Sequence, residues 1–145
     1  MRVNFVMKIM SIDLGLARTG IAISDLTGAF AHPFCVIKER KTNILIEKII
    51  DIILKENIEE VVIGLPKNMD GSLGESAQRA ISFSKDLGKQ TDVSIIMQDE
   101  RNTTVLAHNY LNIADVRGKK RKEIVDSVAA TIILQDYLDF RRNKS

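Results

Sequence analysis

The apolar residues of this chain change period in a set order along its 145 positions, and that order limits the fold more than any other feature. Lys8–Asp13 (KIMSID) and Thr19–Ser24 (TGIAIS) are short runs rich in β-branched residues, joined by LGLAR. Gly15 permits a tight turn there, so the pair reads as a β-hairpin. After a turn at Gly28, Ala29–Ile37 reads as a third strand, which Pro33 pushes to a sheet edge because it has no N–H for a central ladder. From Thr42 onward, Leu45, Ile46, Ile49, Ile50 and Ile53 fall on one helical stripe, with Glu47, Lys48, Asp51 and Lys55 opposite. Glu60–Gly64 is a continuous apolar run, as expected of a strand covered on both faces. The polar loop LPKNMDGS leads into a second helical stripe through Leu73, Ala77, Ala80, Ile81, Ser84 and Leu87, stopped by Gly88. Val93–Met97 reads as a strand, Val105–Leu111 as a short helix and Lys122–Phe140 as a longer one.

The order β-β-β-α-β-α-β-α-α predicts an α/β fold, a five-stranded mixed sheet flanked by helices. Its later strands are parallel because helical crossovers link them. Ligands of such sheets gather beyond the carboxyl ends of the strands, which nominates the loops after Asp13, Gly64 and Met97. The length suits one domain over residues 1–145. A single cysteine, Cys35, excludes a disulfide scaffold or a cysteine-rich zinc site and fits a reducing cytoplasm. The N-terminus lacks the pattern of a signal peptide, and no stretch approaches the roughly 20 apolar residues of a membrane span. A cytoplasmic location and no membrane partner are therefore expected. A net charge of +2 is too small to argue for nucleic acid, so that case rests on where the charges sit.

Three acids stand out. Asp13 ends an apolar strand, where aspartate is depleted and costly to bury, although an Asx turn into Leu14–Gly15 would also account for it. Glu100 follows the last strand within QDERNTT, where Asp99 and Glu100 could equally favour the positive end of a helix capped by Asn102 or Thr103. Asp126 shares a helical stripe with Ala129, Ala130, Ile133 and Tyr137, so it points to the core, an unusual place for an acid. Like charges gathered at one sheet end would raise one another's pKa unless a cation offset them. Oxygen-only ligands, without cysteine and with two scattered histidines, select Mg²⁺ or Mn²⁺ over zinc. Two such ions roughly 4 Å apart would activate water and stabilise the leaving oxygen of a phosphodiester.

Four segments carry a resemblance. They are Asp13-Leu-Gly15-Leu-Ala-Arg18-Thr-Gly20-Ile-Ala22-Ile-Ser24-Asp25, Gly64-Leu-Pro66-Lys-Asn68-Met-Asp70-Gly71, Asp99-Glu100-Arg101-Asn-Thr103-Thr104, and Asp126-Ser-Val-Ala129-Ala130 followed by Ile133-Leu134 and Tyr137-Leu138. In this order, over nearly the whole chain, they resemble the successive signatures of the YqgF family. That family is described as Holliday junction resolvases and as pre-16S ribosomal RNA nucleases on an RNase H-like fold. The resemblance implies a metal-dependent endonuclease whose catalytic and metal-binding acids are Asp13, Glu100 and Asp126. Asp13 would bridge two Mg²⁺ or Mn²⁺ ions, with Glu100 and Asp126 each holding one. The residues before Lys8 are atypical of the family, and Met7 could also initiate.

Nucleic-acid contacts would come from Arg18 and Arg101, whose guanidinium groups suit phosphate, and from the hydroxyls of Thr103 and Thr104, one of which could instead cap a helix. Arg117, Lys119, Lys120, Arg121 and Lys122 place five bases in six positions just before the helix of Asp126. With Gly118 this run is expected to be a mobile basic loop. The favoured reaction is processing of precursor 16S rRNA at its 5′ end, with ribosomal particles as partners and a monomer or homodimer as the assembly. A resolvase of four-way DNA junctions is the alternative and would need a dimer for two symmetric cuts. A non-catalytic nucleic-acid-binding module is the option from another class. DLGLARTG also resembles the phosphate hairpin of sugar kinases and actin-like ATPases, which need two lobes where 145 residues supply one.

Overall fold

The computed structural model describes residues 7–99 and 118–144, excepting the side chains of 118–124, 126 and 144. Its elements are β1 (Ile9–Asp13), β2 (Arg18–Ser24), β3 (Ala31–Lys38), α1 (Thr42–Lys55), β4 (Glu60–Leu65), α2 (Glu75–Gly88), β5 (Ser94–Asp99) and α3 (Gly118–Lys144). The strands form one five-stranded sheet in the order β3-β2-β1-β4-β5. β1 and β3 each pair antiparallel with β2, whereas β4 pairs parallel with both β1 and β5. Pro33 lies on the edge strand as its missing N–H demands. It faces Ala22 beside an irregularity between Ile21 and Ala22, where the ladder shifts register.

Side chains alternate across the sheet and divide the core in two. Met10, Ile12, Ile21, Val61 and Ile63 face α1 and α2, meeting Ile46, Ile49, Phe83 and Leu87. Ile9, Ala22 and Val62 face the opposite way and meet Ala130, Ile133, Leu134 and Leu138 of α3. α1 ends without a glycine. Asn57 takes the left-handed conformation at φ 56°, and Ile58 N–H donates to the Ile53 carbonyl at 3.0 Å, closing the last turn.

α3 is held to the sheet by hydrogen bonds as well as by packing. Buried Ser11 Oγ donates to the Ala130 carbonyl at 2.6 Å. The Gln135 amide acts like a neighbouring strand, accepting from Ala31 N–H at 2.9 Å and donating to the Ala29 carbonyl at 3.0 Å. Tyr137 Oη donates to Glu60 Oε1 at 2.7 Å. Ala129 and Ala130, both fully buried, let the helix lie close to the strands.

One expectation is corrected here. Lys119, Lys120, Arg121 and Lys122 do not form a loop before a helix starting at Lys122, because α3 already begins at Gly118 and contains them. Lysine and arginine are good helix formers with little rotamer freedom to lose, so the helix runs through the basic segment. No acid stands in its first turn to balance those charges against the helix dipole. Among the described residues, no helix is long and apolar enough to cross a membrane.

Burial and the bond to Glu60 push the Tyr137 hydroxyl up to about 12 from its ordinary 10.0. A group whose pKa rises on folding stabilises the fold below its unfolded value and loses that contribution as pH climbs through the folded one. The stability difference between the wild type and Tyr137→Phe should therefore hold at about 1 kcal/mol below pH 10 and shrink toward pH 12, measured by urea unfolding at each pH.

Candidate functional site

Asp13 is the last residue of β1 and the first on that strand to be only half-buried. Strand alternation puts it on the face of Ile9 and Ser11, which is the α3 face. Its cross-strand partner is Gly20, which has no side chain to cover the carboxylate. The direction of α3 follows from its anchors. Ala130 meets Ser11, while Tyr137 meets Glu60, which pairs with Ile9 at the other end of β1. The helix therefore runs back from the carboxyl edge of the sheet, and residue 126, one turn before Ala130, has its backbone at the level of Asp13. The parallel strands β4 and β5 end on the same edge at Leu65 and Asp99.

Two of the three expected acids are thus brought to one edge, Asp13 with its side chain and Asp126 by its backbone. Glu100, Arg101, Thr103, Thr104 and Arg117 lie outside the described residues, as do His108 and the expected helix Val105–Leu111. Among the described residues there is accordingly no group of three His, Cys, Asp or Glu side chains that could hold a metal. Arg18 opens β2 two residues before Gly20, so it shares the face of Asp13, and Lys38 of β3 stands opposite it in register. The basic segment Lys119–Lys122 leads into Asp126 along α3.

Other motif residues prove to serve the backbone. Asp70 accepts from Ser72 N–H at 2.9 Å and from Ser72 Oγ at 2.6 Å, and Gly71 adopts φ 89°, so NMDG is a turn. Asp25 organises the turn into β3, and hydrogen bonds, led by that from Thr27 Oγ1 at 2.8 Å, hold its carboxyl below the usual carboxylate range. Gly15 is needed for an internal reason, since a Cβ there would run into the Arg18 carbonyl oxygen. His32 is exposed, while Cys35 is partly buried against the first core, which pushes its thiol pKa up. The ion pair of Lys67 Nζ with Asp99 Oδ2 at 3.9 Å, which ties the ends of β4 and β5, had no sequence signal beyond opposite charge.

With this edge described, comparison with known proteins becomes informative. Residues 7–140 match the family described as "RuvX: Holliday junction resolvase". The chain belongs to the RuvX family. A RuvX-family relative from Thermoanaerobacter pseudethanolicus is 42% identical over 139 residues, covering 95% of this chain and 100% of the relative. One from Halothermothrix orenii is 44% identical over 135 residues, covering 93% and 96%. Both bear the name "Putative pre-16S rRNA nuclease". Among solved structures, Thermus thermophilus RuvC superposes with a TM-score of 0.57 at 13% identity, over 94% of this chain and 97% of that one. The fowlpox virus resolvase bound to Holliday junction DNA superposes with a TM-score of 0.57 at 15% identity, over 93% and 99%. These two likenesses establish the RNase H-like fold.

The packing at Gly15 yields a direct test. Gly15→Ala should destabilise the protein by about 1–3 kcal/mol because the new methyl group meets backbone, which cannot swing aside as a side chain would. The shift in urea midpoint reads this, and an unchanged midpoint would mean the hairpin does not pack as described.

Proposed function

We propose that this RuvX-family chain is a metal-dependent endonuclease that processes precursor 16S rRNA at its 5′ end in the cytoplasm. The observation that carries the nuclease reading is the identity of 42–44%, over nearly full length, to relatives named "Putative pre-16S rRNA nuclease". The placement of Asp13 beside the backbone of Asp126 at the carboxyl edge of the sheet supports it. So does the donor chemistry, since carboxylate oxygens at the open end of a strand suit a hard cation.

In this reading Asp13, Glu100 and Asp126 hold Mg²⁺ or Mn²⁺, most simply as two ions. When bound, the metal supplies water activation and stabilisation of the leaving oxygen. Hydrolysis joins the water oxygen to phosphorus, breaks the bond to the leaving oxygen, and passes a proton from the water to that oxygen. Arg18, on the face of Asp13, orients the phosphate through its non-bridging oxygens. Arg101, Thr103 and Thr104 are proposed phosphate contacts next in sequence to Glu100. Arg117, Lys119, Lys120, Arg121 and Lys122 bind the backbone from the α3 side. One domain carries the whole site.

The test offers precursor 16S rRNA and a four-way DNA junction to the wild type and to Asp13→Asn, with Mg²⁺, with Mn²⁺ and with EDTA. Cleavage of the rRNA should fall at least about 100-fold with either the substitution or the chelator. Cleavage that survives both would overturn the metal reading. Selective cutting of the junction would make the protein a resolvase instead.

A further inference from the structure

A row of cations leaves the Asp13 edge on the side away from β4 and β5. Arg18 on β2 stands opposite Lys38 on β3, and the chain then turns into α1 through Glu39, Arg40 and Lys41. These residues, with Ala17, line a groove of about 500 Å³ at the carboxyl edge. Lys38, Arg40 and Lys41 are exposed. Among the described residues Glu39 is the one acid in the lining, and it is already engaged. Its carboxylate accepts from Lys41 N–H at 3.2 Å and pairs with Lys48 Nζ at 3.4 Å, which hold its pKa below the ordinary value. Among the described residues, Arg18, Lys38, Arg40 and Lys41 thus line the groove together with one acid whose carboxylate is already engaged.

The groove continues inward. Glu39 and Arg40 also line a smaller cavity of about 150 Å³ between the Leu14–Leu16 turn and α2, and Arg79 of α2 reaches into its wall. The Nε of Arg79 is buried without a hydrogen-bond partner among the described residues. A buried guanidinium donor left unpaired is costly unless something accepts from it. Asp86, the other acid here, has its carboxylate 3.9 Å from Lys89 Nζ.

We infer that Arg18, Lys38, Arg40 and Lys41, backed by Arg79, form a binding track for the phosphodiester backbone of a nucleic acid, running from Asp13 outward over the ends of β2 and β3. The inference deepens the proposed nuclease reading and rests on it for the identity of the polyanion. It adds to the basic start of α3 a second surface, which begins with Arg18 and Lys38 on the face of Asp13 and turns around the ends of β2 and β3 toward α1. A substrate held by both would straddle the carboxyl edge, with its reacting phosphate over Asp13. Contacts of this kind read charge and spacing and no bases, so RNA and DNA should feel them alike.

The test measures binding without metal, so that it does not depend on catalysis. A labelled RNA and a labelled DNA of one sequence are titrated by fluorescence anisotropy in EDTA at several salt concentrations, against the wild type and Arg40→Gln/Lys41→Gln. The double variant should bind both about tenfold or more weakly at 0.1 M salt. Its plot of log affinity against log salt should be shallower by about 1.4–1.8, the slope of two phosphate contacts. Lys38→Gln/Lys41→Gln, also at exposed positions, should behave the same way and guards against a folding defect in the first variant. Affinities and slopes equal to wild type in both variants would overturn the track, as would a loss confined to one nucleic acid or a wild type with no salt-dependent binding. Cleavage is scored apart from binding. A wild type that binds through these residues but never cuts overturns the nuclease reading alone, whereas one that cuts normally with unaltered variant binding overturns the track alone.

Discussion

The hydrogen bond from Ser11 to the Ala130 carbonyl joins the two elements on which the site depends. Ser11 sits in the middle of a strand whose neighbours Met10 and Ile12 are fully buried. At such a position a hydroxyl must find an acceptor or lose the solvation it had in water. It finds one on a helix brought near by two alanines, at 2.6 Å. That contact fixes how far α3 can slide along β1 and so sets the backbone of residue 126 at the level of Asp13. Gln135 and Tyr137 repeat the attachment farther along, one to the entry of the edge strand and one to β4. The geometry at the carboxyl edge thus follows from polar side chains buried some distance from it.

Strand alternation then decides what each residue near the edge can do. Even-numbered positions of β1 belong to the core under α1 and α2, and odd-numbered ones look toward α3. Asp13 falls on the α3 face at the point where β1 leaves the sheet, with a glycine beside it and an arginine two residues farther along the neighbouring strand. An acid one position earlier would lie in the dry core, where its charge could not be sustained without a partner. The same counting puts Arg18 and Lys38 side by side and starts the cationic row that continues through Arg40 and Lys41. A net charge of +2 gives no hint of this row, because it sums 21 bases against 19 acids over the whole chain.

Much of this was legible in the sequence because the signals are local. Short runs of β-branched and apolar residues marked the strands, the isoleucine stripe marked α1, and Pro33 marked the edge, each through backbone geometry that needs no distant partner. The parallel pairing of β4 followed from the helical crossover before it. What escaped notice depends on contacts far apart in the chain. Ser11 and Ala130 are separated by 119 positions, and nothing near Ser11 announces its acceptor. Arg79 drew no attention because it is an isolated base in sequence, and only folding brings it and Arg40 to the walls of one cavity. The basic segment was misjudged as a loop because charge density was weighed above the helix propensity of lysine and arginine. The tight turn at Gly15 was legible, but the Arg18 carbonyl oxygen that leaves no room for a Cβ there was not.

The central claim is that the carboxyl edge between β1 and the start of α3 holds a divalent metal. Paramagnetic broadening by Mn²⁺ tests it without any substrate. At substoichiometric Mn²⁺, the account predicts that amide signals broaden first at Asp13 and Leu14, at the end of β5 and around residue 126, and that Asp13→Asn removes this pattern. Broadening spread evenly over surface acids such as Asp51 and Asp139, or left unchanged by the substitution, would contradict it.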